Sequence, residues 1–161
     1  MFTFAFAYKN LTMATFIGTY FSKIDDKGRI VFPAPLKAAI PAGGDMRFVI
    51  KRSLYSDCLE MYSYAEWERE SDKIRESLDF FNPDHELFWR EYMRDCVCVE
   101  PDAKLGRISI PRYLLDAIGV TREVAFFGIN FKIEIWAKEK YDASRLSKDS
   151  FVAIAQSLSR K

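Results

Sequence analysis

The sequence is poor in the residues that bind metals or form disulfides. It contains three cysteines and one histidine among 161 residues. Cys96 and Cys98 are separated by one residue, which is too close for most disulfide geometry, and strand alternation would put both on one face. Three thiols and one imidazole also lack the spacing of a zinc site. We therefore expect no disulfide framework, no metal and no cofactor, and a reducing cytoplasm fits this cysteine usage.

The sequence also lacks a long apolar run. Residues 1–12 are apolar and aromatic, but they form a short stretch without a charged leader or a clear cleavage site, so a secretory signal is not indicated. No later stretch is long enough to predict a membrane span. Because Met13 opens the first patterned segment, we expect translation to start there. Residues 1–12 are then an N-terminal extension, frayed or artefactual.

Motifs of the common catalytic classes are missing as well. The sequence has seven glycines, and they form no glycine-rich phosphate loop. No serine or cysteine nucleophile is found with a base, and His85, between Asp84 and Glu86, has the pattern of a surface residue. The sequence thus indicates neither an enzyme nor a small-molecule substrate.

An internal repeat is the strongest positive feature. Gly28–Pro33 reads GRIVFP, and Gly106–Pro111 reads GRISIP; their shared residues lie 78 positions apart. Glu60-Met61-Tyr62 returns as Glu134-Ile135-Trp136 at an offset of 74, so the second copy has a shorter loop. Each copy is a unit of about forty residues, too small to bury a core alone. We expect the two units to share one core.

Each repeat carries the same order of predicted elements. In the first copy we expect a strand, a tight turn, a return strand, a short helix and two strands, at 16–24, 25–28, 30–32, 35–40, 47–51 and 58–62. In the second copy the same elements fall at 97–99, 104–106, 107–110, 111–118, 123–127 and 132–136. Gly28 and Gly106 are placed to take positive φ in the turns.

The segment between the repeats is predicted to be helical and broken at Asn82-Pro83. Its apolar side chains follow two helical stripes that we expect to pack a core: Trp67, Ile74, Leu78, Phe81, Leu87, Phe88 and Tyr92. A last amphipathic helix, capped near Ser147-Lys148-Asp149, either closes the domain or meets a neighbouring subunit. The predicted division of the chain is 1–13 extension, 14–63 repeat 1, 64–95 helical insert, 96–140 repeat 2 and 141–161 C-terminal helix.

Charge is segregated along the chain although the total is only +1. Residues 14–56 carry a net +4, residues 57–95 a net −7, and residues 96–161 a net +3. Basic repeats and an acidic insert suit a protein that presents one face to phosphate, although solvated helices are often acidic without a partner.

The motif residues carry a resemblance. Lys23–Pro33, KIDDKGRIVFP, resembles the turn-and-strand signature of the AbrB-like swapped-hairpin DNA-binding proteins. The duplication, the preceding Phe16–Tyr20 and the helical insert are similar to one branch of that superfamily, the MraZ transcriptional regulators. The resemblance covers about residues 14–145. Two copies at a fixed offset, each followed by the same helix, make it specific.

The resemblance implies a fold, an assembly and a function. The fold is of the mixed α/β (α+β) class, a pseudo-twofold swapped-hairpin β-barrel made from both repeats. The partners are double-stranded DNA and further copies of the chain in a ring-like homo-oligomer. The function is sequence-specific binding to promoter direct repeats, usually as a repressor of a bacterial division and cell-wall gene cluster, in the cytoplasm and at the nucleoid.

The family's Asp-x-x-x-Arg motif falls on Asp25 and Arg29. In the second copy Ala103 stands at the position of Asp25, and the nearest acid, Asp102, is one residue early. The carboxylate that would orient Arg107 is therefore either lost or rebuilt with shifted geometry, and we give the first repeat more weight as the DNA-contacting one.

The candidate DNA contacts follow from the chemistry of the cations. A guanidinium at a turn edge can pair with guanine O6 and N7 or clamp a phosphate, which suits Arg29 and, with less weight, Arg107. Ammonium groups suit phosphate contacts, and the candidates for these are Lys23, Lys27, Lys37 and Lys104.

Two alternatives stay open at the level of sequence. Arg29 and Asp25 form a structural salt bridge in the turn if the motif has no DNA role. The whole chain is an antitoxin-like protein-interaction module if the same fold acts without specific DNA binding.

Overall fold

The computed structural model describes residues 13–159; the predicted extension before Met13 lies outside them. Eight strands and six helices occupy this part of the chain. The strands are β1 Phe16–Lys23, β2 Arg29–Val31, β3 Phe48–Arg52, β4 Leu59–Ser63, β5 Val97–Val99, β6 Arg107–Ser109, β7 Glu123–Asn130 and β8 Ile133–Ala137. The helices are α1 Ala34–Lys37, α2 Tyr64–Glu76, α3 Pro83–Arg94, α4 Arg112–Ala117, α5 Lys138–Ala143 and α6 Lys148–Leu158. The mixed α/β class is confirmed.

The strands form two antiparallel sheets. Six of them lie in the order β1-β7-β8-β4-β3-β5, and β2 pairs with β6 in a separate ribbon. β1, the first strand of repeat 1, pairs with β7 of repeat 2, and β5 of repeat 2 pairs with β3 of repeat 1. Each repeat therefore completes the sheet of the other. Hydrogen bonds do not close these described strands into one barrel.

The register places equivalent residues of the two repeats opposite each other. Ile30 pairs with Ile108 in the ribbon, and Glu60 pairs with Glu134 where β4 meets β8. An antiparallel pair in which each residue faces its own repeat equivalent has a local twofold axis between the strands. The duplication in the sequence thus appears in the fold as pseudo-twofold pairing at two places.

One core is built from both repeats, as expected. Phe32 is 5.2 Å from Phe48 of its own repeat and 5.7 Å from Phe126 of the other, between ring centroids. Ile30 and Ile108 are buried beneath the ribbon. At about 25 cal/mol per Å² of apolar surface, such shared burial is the main stabilising contribution available to units of this size.

Two strands differ from their predictions because their partners lie far away in sequence. The predicted return strand forms one bridge back to the first strand, Ile24 to Ile30, and otherwise pairs with β6. β7 runs to Asn130, three residues beyond the predicted end, because all eight residues of β1 pair along it. Neither feature can be predicted from the local sequence pattern.

The helical insert breaks where predicted, but its packing prediction is only partly right, because four of the seven apolar side chains are half-buried and three are exposed. Asn82 caps α3 by accepting the N–H of Asp84 at 3.0 Å, and Pro83 begins the helix. Phe81, in the turn between the helices, is 99% exposed, and Leu87 and Phe88 are also exposed. A helical stripe shows which face is apolar, but not whether another element of the same chain covers it.

The C-terminal segment contains two helices. α5 packs against β7 and β8, and the Tyr141 hydroxyl is 2.7 Å from Thr19 Oγ1. α6 begins after Ser147, whose Oγ accepts the N–H of Ser150. All residues of α6 are exposed, so this helix does not close the domain.

A buried ion cluster lies at the β4–β8 junction. Glu60, with 10% of its side chain exposed, accepts from Lys51 at 2.8 Å and from Lys132 at 2.5 Å. Burial raises the pKa of Glu60, but the hydrogen bonds from Lys132 and Lys51 outweigh it, so the net pKa lies below its ordinary value. Glu134 stands directly opposite, and the lysines offset that repulsion.

Replacing Glu60 should destabilise the fold. Glu60→Gln leaves two lysine ammoniums buried without their carboxylate, which should lower the free energy of unfolding by about 3 kcal/mol at pH 7. Because folding lowers the pKa of Glu60, its contribution is present above the ordinary value of 4.5 and is lost as pH falls. Urea unfolding at pH 7 and at lower pH measures both effects.

Glu134→Gln is the matched control, because Glu134 is the equivalent of Glu60 in the second repeat. Glu134 accepts from the Trp136 indole at 3.0 Å and forms no lysine pair within residues 13–159. If Glu134→Gln lowered the free energy of unfolding as much as Glu60→Gln does, the lysine pairs of Glu60 would not be the source of the stability.

Candidate nucleic-acid interface

The first turn is organised by the carboxylate of Asp25. Its Oδ1 accepts the N–H groups of Lys27 at 2.9 Å and Arg29 at 2.8 Å, and its Oδ2 accepts Arg29 Nε at 2.8 Å. Gly28, with φ +78°, donates its N–H to the Asp25 carbonyl. The Arg29 N–H is the largest cause that lowers the pKa of Asp25. The guanidinium is therefore fixed to its own turn through Nε.

In the second turn, which has one more residue, a carboxylate also holds the arginine through Nε. Asp102 Oδ1 accepts the N–H groups of Lys104 at 3.0 Å and Leu105 at 2.8 Å, and Oδ2 accepts Arg107 Nε at 2.8 Å. The Leu105 N–H and the Arg107 guanidinium lower the pKa of Asp102 well below its usual range. Of the two expectations for this turn, the rebuilt brace is the one found. Gly106, at φ +68°, supports the longer turn.

The β2–β6 ribbon brings the two arginines onto one face. Arg29 stands opposite Ser109, and Arg107 stands opposite Val31, while Ile30 and Ile108 point into the core. Arg29 and Arg107 are therefore diagonal neighbours, roughly 7–8 Å apart between Cα atoms for this kind of pair. Both line a surface cavity of about 480 Å³ together with Glu100, Asp102 and Ser109.

The terminal nitrogens of both guanidiniums remain available. Among the described residues, each arginine donates to a carboxylate only through Nε. The side chains are 32% exposed at Arg29 and 22% exposed at Arg107. A guanidinium held at Nε, with two free N–H₂ groups, is a positioned donor for a planar or anionic acceptor pair. The salt bridge and a ligand-binding role are thus compatible.

The four candidate lysines lie at different distances from the two turns. Lys27 and Lys104 are exposed within the turns themselves. Lys37, at the end of α1 in repeat 1, lies beside the turn of repeat 2: its Nζ is 3.8 Å from where a Cβ would stand on Gly106. Lys23 is exposed at the end of β1, opposite Glu123. None of the four lines the cavity shared by the arginines.

Two residues of this surface, Ser109 and Val31, were not predicted from the sequence. Asp102 was named there as an acid one position early, and the sequence left open whether it braces Arg107. Ser109 and the half-exposed Val31 share the outer face with the arginines. Strand alternation from Arg107 and Arg29 would have found both, since residues i and i+2 point to the same side.

Other kinds of site are not evident in this part of the chain. Over residues 13–159, no group of three or more His, Cys, Asp or Glu side chains is arranged to hold a metal ion. No helix among these residues is both long and apolar enough to cross a bilayer.

Removing either carboxylate should loosen its turn without unfolding the chain. Asp25→Ala takes away the acceptor of the Lys27 and Arg29 N–H groups, so hydrogen exchange at these amides should become faster, and Asp102→Ala should do the same at Lys104 and Leu105. Since both acids have lowered pKa values, the wild-type protection is present above the ordinary value of 3.8 and declines as pH falls.

Asp26→Ala is the control, because Asp26 lies in the first turn but accepts none of these N–H groups. Exchange that is unchanged in Asp25→Ala, or equally faster in Asp26→Ala, would show that the carboxylate does not organise the turn.

The chain is similar to proteins of one known family over most of its length. The family model described as "MraZ protein, putative antitoxin-like" matches residues 15–91 and 94–159. A protein of Bacteroides fragilis named "Transcriptional regulator MraZ" is 31% identical over 149 residues, 92% of this chain and 94% of its own. Proteins with the same name are 32% identical in Bacteroides thetaiotaomicron (91% of this chain, 93% of that one) and 35% identical in Flavobacterium psychrophilum (81% and 82%).

Proposed function

This chain belongs to the MraZ family, and on that premise we propose that it is a sequence-specific DNA-binding transcriptional regulator. We propose further that it represses a bacterial division and cell-wall gene cluster by binding direct repeats in the promoter. It acts in the cytoplasm, at the nucleoid, and catalyses no reaction. The relatives named as transcriptional regulators support the general role.

The observation that carries the proposal is the pair of braced arginines on the β2–β6 ribbon. A two-stranded ribbon fits the major groove of B-DNA. Diagonal neighbours at roughly 7–8 Å span about two base-pair steps of 3.4 Å each. Arg29 and Arg107 therefore reach two base pairs at once, and each can donate two N–H groups to guanine O6 and N7.

The turn residues and lysines complete the interface. Lys23, Lys27, Lys37 and Lys104 contact phosphates and set the register of the ribbon on the duplex. Gly28 and Gly106 keep the turns tight through their positive φ. Asp25 and Asp102 hold the guanidiniums in place before DNA arrives, which lowers the entropy cost of binding. Val31 offers an apolar contact to a thymine methyl.

The exchanged strands support a finer description of the fold. We propose that the two repeats, 14–63 and 96–140, form the pseudo-twofold swapped-hairpin arrangement of the AbrB-like proteins, with 64–95 as an insert and 141–161 as a C-terminal segment. The pairing of β1 with β7 and of β5 with β3 is the observation behind this proposal.

Self-assembly is the remaining part of the proposal. α6 exposes Phe151, Ile154 and Leu158, and an isolated helix of this length is marginal in water. The helical insert exposes its own apolar side chains and carries most of the net −7 of residues 57–95, whereas residues 138–161 carry a net +3. We propose that α6 of one copy packs on the insert of the next. Such a head-to-tail contact closes into a ring when its rotation allows.

An antitoxin-like interaction module is the second candidate. The exposed aromatics of the insert, Phe80, Phe81 and Phe88, favour it because such a surface is typical of protein contacts. Its outcome in the DNA test is distinct: weak, equal binding to native and scrambled duplexes.

Loss of either guanidinium should weaken specific DNA binding. Arg29→Ala and Arg107→Ala should each weaken the free energy of binding to the duplex upstream of the chain's own gene by about 1–3 kcal/mol. Lys27→Ala should weaken binding to all sequences and reduce the salt slope. Fluorescence anisotropy with native and scrambled duplexes at two salt concentrations measures both effects.

Arg112→Ala is the matched control: Arg112 is exposed on α4 and pairs with Asp116. Circular dichroism confirms that each variant is folded. Folded arginine variants that bind the native duplex as tightly as the unchanged protein would contradict the proposed interface.

A charge on the apolar face of α6 should dissociate the oligomer. Phe151→Glu places a carboxylate where the proposed contact excludes water, so the mass by size-exclusion chromatography with light scattering should fall to one chain. Gln156→Glu, on the opposite face, should leave the mass unchanged. An unchanged mass in Phe151→Glu would exclude α6 from the assembly contact.

A further inference from the structure

A cavity of about 370 Å³ lies between the six-stranded sheet and the helical insert. β3 and β4 form its floor with Lys51 and Tyr62, while α2 and α3 form its walls with Ile74, Phe88 and Tyr92. Its volume is within the range of small-molecule sites. It lies apart from the cavity shared by Arg29 and Arg107, and the two have no lining residue in common.

The floor of this cavity already holds an ammonium group of the chain itself. Lys51 Nζ is 2.8 Å from Glu60 Oε1 and 5.0 Å from the centroid of the Tyr92 ring. A carboxylate and an aromatic face around one ammonium are the elements by which proteins recognise amines. Tyr62, only 5% exposed, extends this aromatic floor. The surface is therefore built from amine-binding chemistry.

Further carboxylates surround the opening. Glu70 and Asp95 line the cavity and form no ion pair with another residue in the range 13–159, and Glu91 lines it too but pairs with Arg94. Glu60 is neutralised by Lys51 and by Lys132 from outside the cavity, and Glu91 is neutralised by Arg94. Two carboxylates of the lining, those of Glu70 and Asp95, therefore have no cation paired with them among residues 13–159, and Arg52 is the one unpaired cation of the lining.

The two tyrosines of the cavity have pKa values that are raised mainly by burial. Burial raises the pKa of Tyr92 to about 12, with contributions from Cys96, Glu70 and Glu60. Burial, Glu60 and Glu70 raise the pKa of Tyr62 above its ordinary value as well. Both hydroxyls are therefore protonated at neutral pH, and Glu70 influences both from α2.

We propose that this cavity binds a small aliphatic diamine. The carboxylates of Glu70, Asp95 and Glu91 hold its ammonium groups, and its methylene chain packs on Ile74, Phe88 and Tyr62. Its two ammonium groups match the two unpaired carboxylates of the lining, those of Glu70 and Asp95. A bound diamine joins α2 and α3 to the sheet, because each of these elements supplies part of the site.

Calorimetric titration of the full chain with cadaverine, a five-carbon diamine, tests the proposal. We expect saturable binding by one molecule per chain that weakens as salt is raised, and no binding of the diol of the same length. Glu70→Gln should weaken cadaverine binding about tenfold, since a charged hydrogen bond contributes roughly 1.5–3 kcal/mol and 1.4 kcal/mol is tenfold in affinity.

Glu68→Gln is the matched control, because Glu68 is exposed on the same helix and does not line the cavity. Thermal unfolding verifies that both variants are folded. The proposal is overturned if cadaverine shows no saturable binding, if the diol binds equally, or if Glu68→Gln weakens binding as much as Glu70→Gln.

Discussion

The exchange of strands between the repeats is the constraint on which the other features depend. A unit of about forty residues cannot bury enough apolar surface to offset its chain entropy. Here β1 pairs with β7 and β5 pairs with β3, so each repeat supplies an edge strand to the strand pair of the other. The shared aromatic core, the β4–β8 junction at Glu60 and Glu134 and the β2–β6 ribbon likewise combine residues of both repeats. Folding of the two repeats should accordingly be a single event.

The proposed DNA surface also requires both repeats. Arg29 and Arg107 belong to different repeats, yet they lie on one ribbon because β2 and β6 pair across the pseudo-twofold axis. Each guanidinium is oriented by an acid of its own turn, while the spacing between the two is set by the ribbon. Orientation is thus a local property of each repeat, and spacing is a property of the whole fold. A single repeat would present one arginine without its partner.

Local features of the fold were predictable from sequence, and non-local ones were not. The turn at Asp25–Gly28 and the break at Asn82-Pro83 depend on neighbouring residues, so turn and cap chemistry was sufficient. The pairing of β2 with β6 and the full length of β7 depend on strands far away in sequence. Phe81 shows the same limit for packing: its apolar character was evident, but its exposure was not. The Asp102 brace required knowing that the second turn has an extra residue.

That extra residue makes the ribbon unequal at its two ends. Asp25 and Arg29 are four positions apart, whereas Asp102 and Arg107 are five apart. An exactly symmetric ribbon would fit a duplex equally well in either direction, as dimeric readers of palindromes do. The β2–β6 ribbon has two different ends and therefore a direction. This asymmetry is encoded within a single polypeptide, so every copy of the chain has it in the same direction.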